Sequence, residues 1–144
     1  MSRLLTDLHP KLQELANEFL ATCAARNFGV KIYLTLRTYE EQDALYAQGR
    51  TTPGKIVTNA KGGESYHCYG MAFDAAPLNE DLTINWTDEK LYSQMGAIGK
   101  ECNLEWGGDW ATFPDRPHFQ YTFGLSIEDL LAGKRPPEPK SLSL

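Results

Sequence analysis

Apolar positions near the start of the chain recur at the spacing of a helix. Pro10 can occupy a first helical position, and Gly29 is a stop signal further along. Between them an apolar set recurs every three or four residues, namely Leu12, Leu15, Ala16, Phe19, Leu20, Cys23 and Ala24. This pattern predicts a first helix that buries one face.

The next segment alternates instead of following helical spacing. Apolar Val30, Ile32, Leu34 and Leu36 are separated by Lys31, Tyr33, Thr35 and Arg37. Period-2 alternation predicts a half-buried strand that ends at Arg37, on its polar face. The following Thr38-Tyr39-Glu40-Glu41 matches a capping box, which predicts a second helix running to Gly49.

The other predicted elements are shorter and alternate with polar, glycine-rich loops. They are a loop over 50–63, a strand over 71–75, a turn over 79–85, a helix capped by Thr87 with Leu91, Met95, Ile98 and Cys102 inside, a loop over 104–117, a strand over 118–121 and a helix over 127–132 capped by Ser126. The order predicts a small α+β domain, with a short antiparallel sheet flanked by three to four helices. We expect one catalytic domain over 1–133 and a flexible tail over 134–144, where prolines prevent packing.

Composition narrows the class of protein. The 144 residues suit a single domain, and 14 basic against 19 acidic side chains give a net charge of −5. Without a Lys/Arg run, this balance argues against nucleic acid and anionic membranes as partners. No stretch is long and apolar enough to span a bilayer, and polar residues follow Met1 too early for a signal peptide. The three cysteines are odd in number and lack a C-x-x-C pair, so they predict neither a disulfide framework nor a zinc ribbon.

Two histidines and two carboxylates carry the candidate chemistry. His67, Asp74 and His118 can supply the three protein ligands of a catalytic zinc, which leaves its fourth position open. Asp115, three residues before His118, remains as a candidate general base. Residues 67 and 74 would lie on opposite faces of a regular strand, so Gly70 must allow a bend between them. Taken alone, His67 and Asp74 are better explained as a surface histidine in a loop and an aspartate that caps a turn. Asp115 and His118 also fit a tight surface turn.

Five further residues, Arg37, Ser65, Trp106, Asp109 and Trp110, are candidates for contact with substrate. Two tryptophans flank a pair of glycines in Trp106-Gly107-Gly108-Asp109-Trp110, and aromatics in such settings line grooves or anchor cores. We expect one tryptophan in the core and one at the groove. Ser65 either orients a ligand or sits in a plain turn. Arg37 either clamps a carboxylate or carbonyl of the substrate or forms a surface salt bridge.

Taken together, these motifs resemble a known family. Ser65-x-His67-x-x-Gly70-x-Ala72-x-Asp74, the Trp106–Trp110 segment and Asp115-x-Pro117-His118-Phe119 are similar to zinc peptidases of the D-alanyl-D-alanine carboxypeptidase superfamily. The branch most like this chain is the L-alanyl-D-glutamate endopeptidases of bacteriophage endolysins. That branch also has an Arg at a strand end before a helix, as in Arg37-Thr38-Tyr39-Glu40-Glu41-Gln42. The similarity covers about residues 8 to 125.

The resemblance implies a role for each residue. His67, Asp74 and His118 would bind Zn²⁺ in a surface groove, Asp115 would act as the base, and Arg37 would lie near the substrate carbonyl or carboxylate. Ser65, Trp106, Asp109 and Trp110 would contact substrate. The expected partner is the peptide stem of peptidoglycan, and we expect a monomer. An enzyme of this kind would wait in the host cytoplasm and reach the wall through holin-type membrane lesions.

Three alternatives remain open from the sequence. One is a D-alanyl-D-alanine carboxypeptidase, although that branch commonly has Glu where this chain has Asp115. Another is a cysteine-dependent cell-wall hydrolase that uses Cys68 and His118. The third is a zinc-bearing binding module without catalysis, for which a base at Asp115 would be superfluous.

Overall fold

The computed structural model describes residues 1–138, which form four helices and a four-stranded sheet. The helices are α1 (Pro10–Ala25), α2 (Tyr39–Ala47), α3 (Glu89–Glu101) and α4 (Ile127–Leu131). The strands are β1 (Val30–Leu34), β2 (Ala72–Pro77), β3 (Glu105–Trp106) and β4 (His118–Gln120). The α+β class, the short sheet and the number of helices are as predicted.

All strand pairs are antiparallel, in the order β1-β2-β4-β3. Helices α1 and α3 pack against each other and form one core with the inner face of the sheet. At its centre Phe19, Phe73 and Phe119 have ring centroids 5.0 to 5.9 Å apart. Strands β2 and β4 are buried along their whole length, which gives the site they carry a rigid base.

Helix boundaries follow the capping signals with two corrections. The predicted capping box of α2 is present, since Thr38 accepts from the Glu41 amide while Glu41 accepts from the Thr38 amide. Helix α1 ends at Ala25, before the expected Gly29, because Asn27 takes a left-handed conformation (φ 53°) that breaks the helix. Helix α3 is capped by Asp88 and not by Thr87, because the Asp88 carboxylate accepts from two backbone amides of the first turn.

Three further differences from the prediction concern strands and burial. Strand β1 ends at Leu34, three residues before the predicted end at Arg37, because Thr35 and Leu36 bond the backbone of Ser2 instead of β2. Strand β3 lies within the predicted 104–117 loop. Leu91 is only half-buried, and Tyr92 takes its place on the inner face of α3.

The expected tail falls partly outside the described residues, since 139–144 are not described. In the part that is described, the Arg135 guanidinium lies 4.9 Å from the Tyr69 ring centroid and donates to the Leu130 carbonyl at 2.8 Å. His9 also contacts the Pro137 carbonyl at 3.3 Å. Within residues 1–138, no helix combines the length and apolar character needed to cross a bilayer.

Candidate metal centre

Three ligand side chains converge from separate elements, and a glycine makes this possible. His67 lies in a 3₁₀ turn (Tyr66–Tyr69) whose end is closed by Gly70 in the left-handed region (φ 67°). A Cβ on Gly70 would lie 3.0 Å from the Asp7 carbonyl oxygen, so both backbone conformation and space favour glycine. Strand β2 then begins and carries Asp74, whose backbone partner across the sheet is His118 of β4.

The ligand atoms are close enough to share one ion. His67 Nε2 lies 3.1 Å from Asp74 Oδ1, and His118 Nδ1 lies 3.6 Å from the same oxygen. One candidate ligand atom from each of the three buried residues lies within 4.8 Å of the others. The predicted trio of ligands is therefore brought together, in a geometry that can hold a metal ion.

Hydrogen bonds on the far side of each imidazole determine which nitrogen is available. His67 Nδ1 lies 2.9 Å from the Thr35 carbonyl, and since a carbonyl can only accept, Nδ1 carries the hydrogen. His118 Nε2 lies 2.7 Å from Gln120 Oε1, whose amide nitrogen in turn donates to Glu105 at 2.7 Å. In the neutral rings, His67 Nε2 and His118 Nδ1 are then left with lone pairs that face a carboxylate.

Two lone pairs and a carboxylate oxygen directed at one point repel each other unless a cation or protons lie between them. The set of two imidazole nitrogens and one carboxylate oxygen is a known catalytic zinc combination. The residues present therefore fit the metal that the motif predicts, and the outer hydrogen bonds are those that orient metal-bound histidines.

Electrostatics within the cluster agree with this arrangement. Burial alone would raise the pKa of Asp74, but the adjoining His67 and His118 outweigh it and hold that pKa well below its ordinary value. Burial opposes protonation of His118, yet Asp74 and Asp115 raise its pKa above 6.5. Both shifts come from the same attraction between imidazolium and carboxylate, which a bound cation would replace.

Asp115 is placed beside the ligands as predicted, without joining them. The turn through Arg116-Pro117 is closed by a bond from the His118 amide to the Asp115 carbonyl (3.2 Å). Asp115 Oδ2 lies 3.9 Å from His118 Nδ1, and its side chain remains 44% exposed. Partial burial, then the charge of Asp74, raise the pKa of Asp115. A carboxylate with a raised pKa beside the candidate metal ligands suits a general base.

A cavity of about 490 Å³ opens onto the cluster, and three further predicted residues, Arg37, Ser65 and Trp110, line it. We call it the central cavity, and the site residues that line it are Arg37, Ser65, His67, Asp74, Trp110, Asp115 and His118. The Arg37 guanidinium is held by Gln42 Oε1 at 2.8 Å, and no carboxylate among residues 1–138 pairs with it. Ser65 accepts from the His67 amide at 3.2 Å and so also shapes the metal-bearing turn.

Trp106 and Asp109, also predicted to contact substrate, are not brought into the central cavity. Trp106 is buried, its indole N–H donates to the Arg116 carbonyl at 2.7 Å, and its ring packs on α3. Asp109 faces outward and pairs with Lys100 at 3.0 Å. Trp110 lines the cavity and lies 5.0 Å from the His118 ring, centroid to centroid. One tryptophan is therefore in the core and the other at the cavity.

The structure gives Cys68 no role as a nucleophile. Cys68 is half-buried and is not among the described residues that line the central cavity. Burial raises the pKa of its thiol, whereas a reactive cysteine needs a lowered pKa.

Sequence reasoning did not assign functions to Gln42, Glu105 and Gln120. Their polar side chains were the one feature of the sequence that could have indicated a function. In the structure Gln42 accepts from Arg37, Gln120 contacts His118, and Glu105 accepts from Gln120. Spacing alone does not reveal these pairs, because they depend on contacts between separate elements.

Comparison with known proteins identifies the class. Residues 58–121 match the model of a peptidase family described as D-alanyl-D-alanine carboxypeptidase. The chain is 43% identical over 123 residues to the peptidoglycan L-alanyl-D-glutamate endopeptidase CwlK of Bacillus subtilis, a match that covers 80% of this chain and 74% of the relative. It therefore belongs to this family of peptidases, M15, whose members are metal-dependent, and the resemblance inferred from the motifs is confirmed.

Two other matches place the chain within the family. It is 31% identical over 112 residues to the L-alanyl-D-glutamate peptidase of Listeria phage A118, covering 75% of this chain and 36% of the phage protein. The crystal structure of the Serratia marcescens L-Ala D-Glu endopeptidase ChiX superposes with a TM-score of 0.60 at 25% identity, covering 83% of this chain and 84% of that chain. Three relatives with the same named specificity thus share the sequence or the fold.

Proposed function

We propose that the protein is a zinc-dependent endopeptidase that cleaves the peptide stem of bacterial peptidoglycan between L-alanine and D-glutamate. The observation that carries the proposal is the buried trio His67, Asp74 and His118 in a chain 43% identical to an enzyme of that name. The family supports a metal-dependent peptidase, and the finer assignments below are part of the proposal.

Zinc suits the donor set better than the harder divalent cations do, because Mg²⁺ and Ca²⁺ prefer all-oxygen ligands. An ion held by these three side chains would polarise the scissile carbonyl and lower the pKa of a water to about 7. The central cavity is the groove through which the stem peptide reaches the three ligands.

The chain's own groups complete the reaction. Asp115 accepts the proton of the attacking water and returns it to the departing amine, and its 44% exposure leaves it accessible to both. Arg37 has no carboxylate partner within residues 1–138 and lies in the same cavity. Its guanidinium binds the α-carboxylate of D-glutamate or steadies charge that develops on the carbonyl oxygen. Ser65 and Trp110 contact the peptide beside it.

The direct test is mass spectrometry of purified peptidoglycan after digestion, with and without a chelator. We expect new amino termini at D-glutamate and none after chelation, with activity restored by Zn²⁺ at stoichiometric concentration. Release of free D-alanine would identify a carboxypeptidase instead. Full activity in the chelator would exclude a metal-dependent mechanism, and binding of wall fragments without new termini would exclude catalysis.

The phage relative supports an extension of the proposal to host lysis. We place the enzyme, as a monomer, in the host cytoplasm until holin-type lesions let it reach the wall. Expression in bacterial cells should then cause lysis only when the inner membrane is permeabilised, and sedimentation should give a mass near 16.2 kDa. Lysis without permeabilisation, or a dimer mass, would refute the corresponding part.

A further inference from the structure

A second cavity, of about 380 Å³, lies directly beside the central one. It is lined by Trp86, Tyr92, Pro114, Asp115, Arg116 and Pro117, and we call it the Trp86 cavity. Asp115 lines both cavities, so a substrate that passes the base can extend from one into the other. None of the three metal-ligand candidates lines the Trp86 cavity, and Trp86 and Tyr92 belong to none of the sequence motifs described above.

Trp86 presents an exposed aromatic face on a backbone that is held in place. The residue is 57% exposed, and its ring packs edge-on against Tyr33 with centroids 5.2 Å apart. Its neighbour Asn85 donates its amide to the Pro77 carbonyl at 2.9 Å and accepts from the amides of Thr87 and Asp88 at 3.1 and 3.0 Å. Leaving a tryptophan exposed forgoes hydrophobic stabilisation, and a fixed exposed ring loses little entropy on binding.

The charges of the two cavities differ, and this difference indicates what each can hold. In the Trp86 cavity the one cation, Arg116, is paired with Glu89 at 2.8 Å, so apart from Asp115 the walls are aromatic, proline or neutralised. In the central cavity Arg37 has no carboxylate partner among the described residues. The carboxylate-bearing part of a stem peptide therefore fits at Arg37, and an uncharged ring fits at Trp86.

We propose that the Trp86 cavity is a subsite for the sugar ring to which the stem peptide is attached. The inference rests on the proposed function, in which L-alanine lies on the amino side of the cut and is joined to the sugar ring through the lactyl group of N-acetylmuramic acid. The indole of Trp86 stacks on the apolar C–H face of the sugar ring, while the hydroxyl groups of the sugar remain in contact with water. The enzyme then prefers stems still attached to glycan over released peptides.

The test compares two substrates that share the same scissile bond. One is a muropeptide, and the other is the same stem capped by a lactyl group without the sugar. We expect unsubstituted enzyme to favour the muropeptide in kcat/KM, and Trp86→Ala to reduce that preference by about three- to tenfold. Phe113→Ala is the matched control, because Phe113 is also exposed (49%) but lines the central cavity. It should change both substrates alike.

The outcomes separate this inference from the proposed function. If neither substrate is cleaved by the unsubstituted enzyme, the proposed function fails. If both are cleaved and Trp86→Ala leaves the preference unchanged, or lowers both rates equally, the sugar subsite is refuted while the endopeptidase stands.

A second measurement does not depend on the folding of a variant. The chain has three tryptophans, so three indole N–H signals can be assigned in the unsubstituted protein. Titration with the N-acetylglucosaminyl–N-acetylmuramic acid disaccharide should shift the signal of Trp86 and leave that of buried Trp106 in place. A Trp86 signal that does not move at saturating disaccharide would refute the subsite.

Discussion

Gln120 lies between two partners with opposite requirements, and this sets the orientation of His118. Glu105 can only accept, so the Gln120 amide nitrogen must face it, and the amide oxygen must face His118 Nε2–H. Gln120→Leu removes that acceptor and frees the imidazole to turn or change tautomer. We expect zinc affinity to fall by about 10- to 100-fold, as measured by competition with a chromophoric chelator.

Glu105→Gln is the control for this effect, because it leaves Gln120 an oxygen to donate to. Its zinc affinity should stay within about threefold of the parent. If Gln120→Leu held zinc as tightly as the parent protein, the orienting role of Gln120 would be wrong.

Asp115 offers a prediction that separates binding from catalysis. Its carboxylate is near His118 but is not one of the three ligands. Asp115→Asn should therefore keep stoichiometric zinc and lose about 10²- to 10⁴-fold in kcat, because the amide cannot accept the proton. Metal content by atomic emission and turnover on muropeptide give the two readouts. Glu80→Gln removes the same charge from an exposed turn and should leave zinc content and turnover unchanged. If Asp115→Asn turned over substrate at the parental rate, Asp115 would be excluded as the base.

At the scale of elements, α3 can approach the sheet closely because two of its inner positions are glycine. A Cβ on Gly99 would lie 2.2 Å from Phe119 Cε1, and one on Gly96 would lie 2.3 Å from Trp106 Cδ2. Alanine favours a helix by up to about 1 kcal/mol over glycine, but overpacking a rigid core costs about 1–3 kcal/mol. A clash with a fully buried ring makes the second effect larger, so Gly99→Ala should lower the free energy of unfolding.

Urea denaturation of metal-free protein measures this change without a contribution from zinc. Ser93→Ala, at an exposed position of α3, is the matched control and should alter stability by no more than about 0.5 kcal/mol. Because Phe119 adjoins His118 in β4, Gly99→Ala should also weaken zinc binding. A Gly99→Ala protein as stable as Ser93→Ala would mean that α3 can shift without cost.

The elements with local signals in the sequence could be predicted, and those that depend on contacts between distant segments could not. Helices α1, α2 and α4 have local start signals, and the ligands lie in two short motifs around Gly70 and Pro117, so both could be identified. Strand β3 has two residues and forms only because Glu105 and Trp106 pair with β4. The Glu105–Gln120 hydrogen bond depends on that same register, and the early end of β1 depends on Ser2. Such contacts between distant segments leave no periodic pattern in the sequence.

For the whole molecule, the three ligands lie in a 3₁₀ turn and two neighbouring strands, so a bound ion would crosslink these three segments of the chain. The affinity of that crosslink depends on pH, because a proton on His118 competes with the metal. Neighbouring Asp74 and Asp115 outweigh burial and raise the pKa of His118 above 6.5, whereas the pKa of Asp74 is lowered. Of these two ligands, His118 is therefore the one that must give up a proton when the ion binds.

The direction of the pH effect follows from these shifts. Above the raised pKa, His118 is neutral, its Nδ1 lone pair is free and zinc affinity is insensitive to this group. Below it, each pH unit should reduce the affinity by at least about tenfold, and the decline should begin at a higher pH than it would for a histidine of ordinary pKa. Calorimetric titration of metal-free protein with zinc, in buffers of different ionisation enthalpy, should show at least one proton released per ion on the acidic side, that of His118. A histidine ligand must lose its proton before it can bind the ion, so its affinity for the ion depends on pH. An affinity that stays constant from pH 5 to 8 would therefore mean that His118 does not bind the ion.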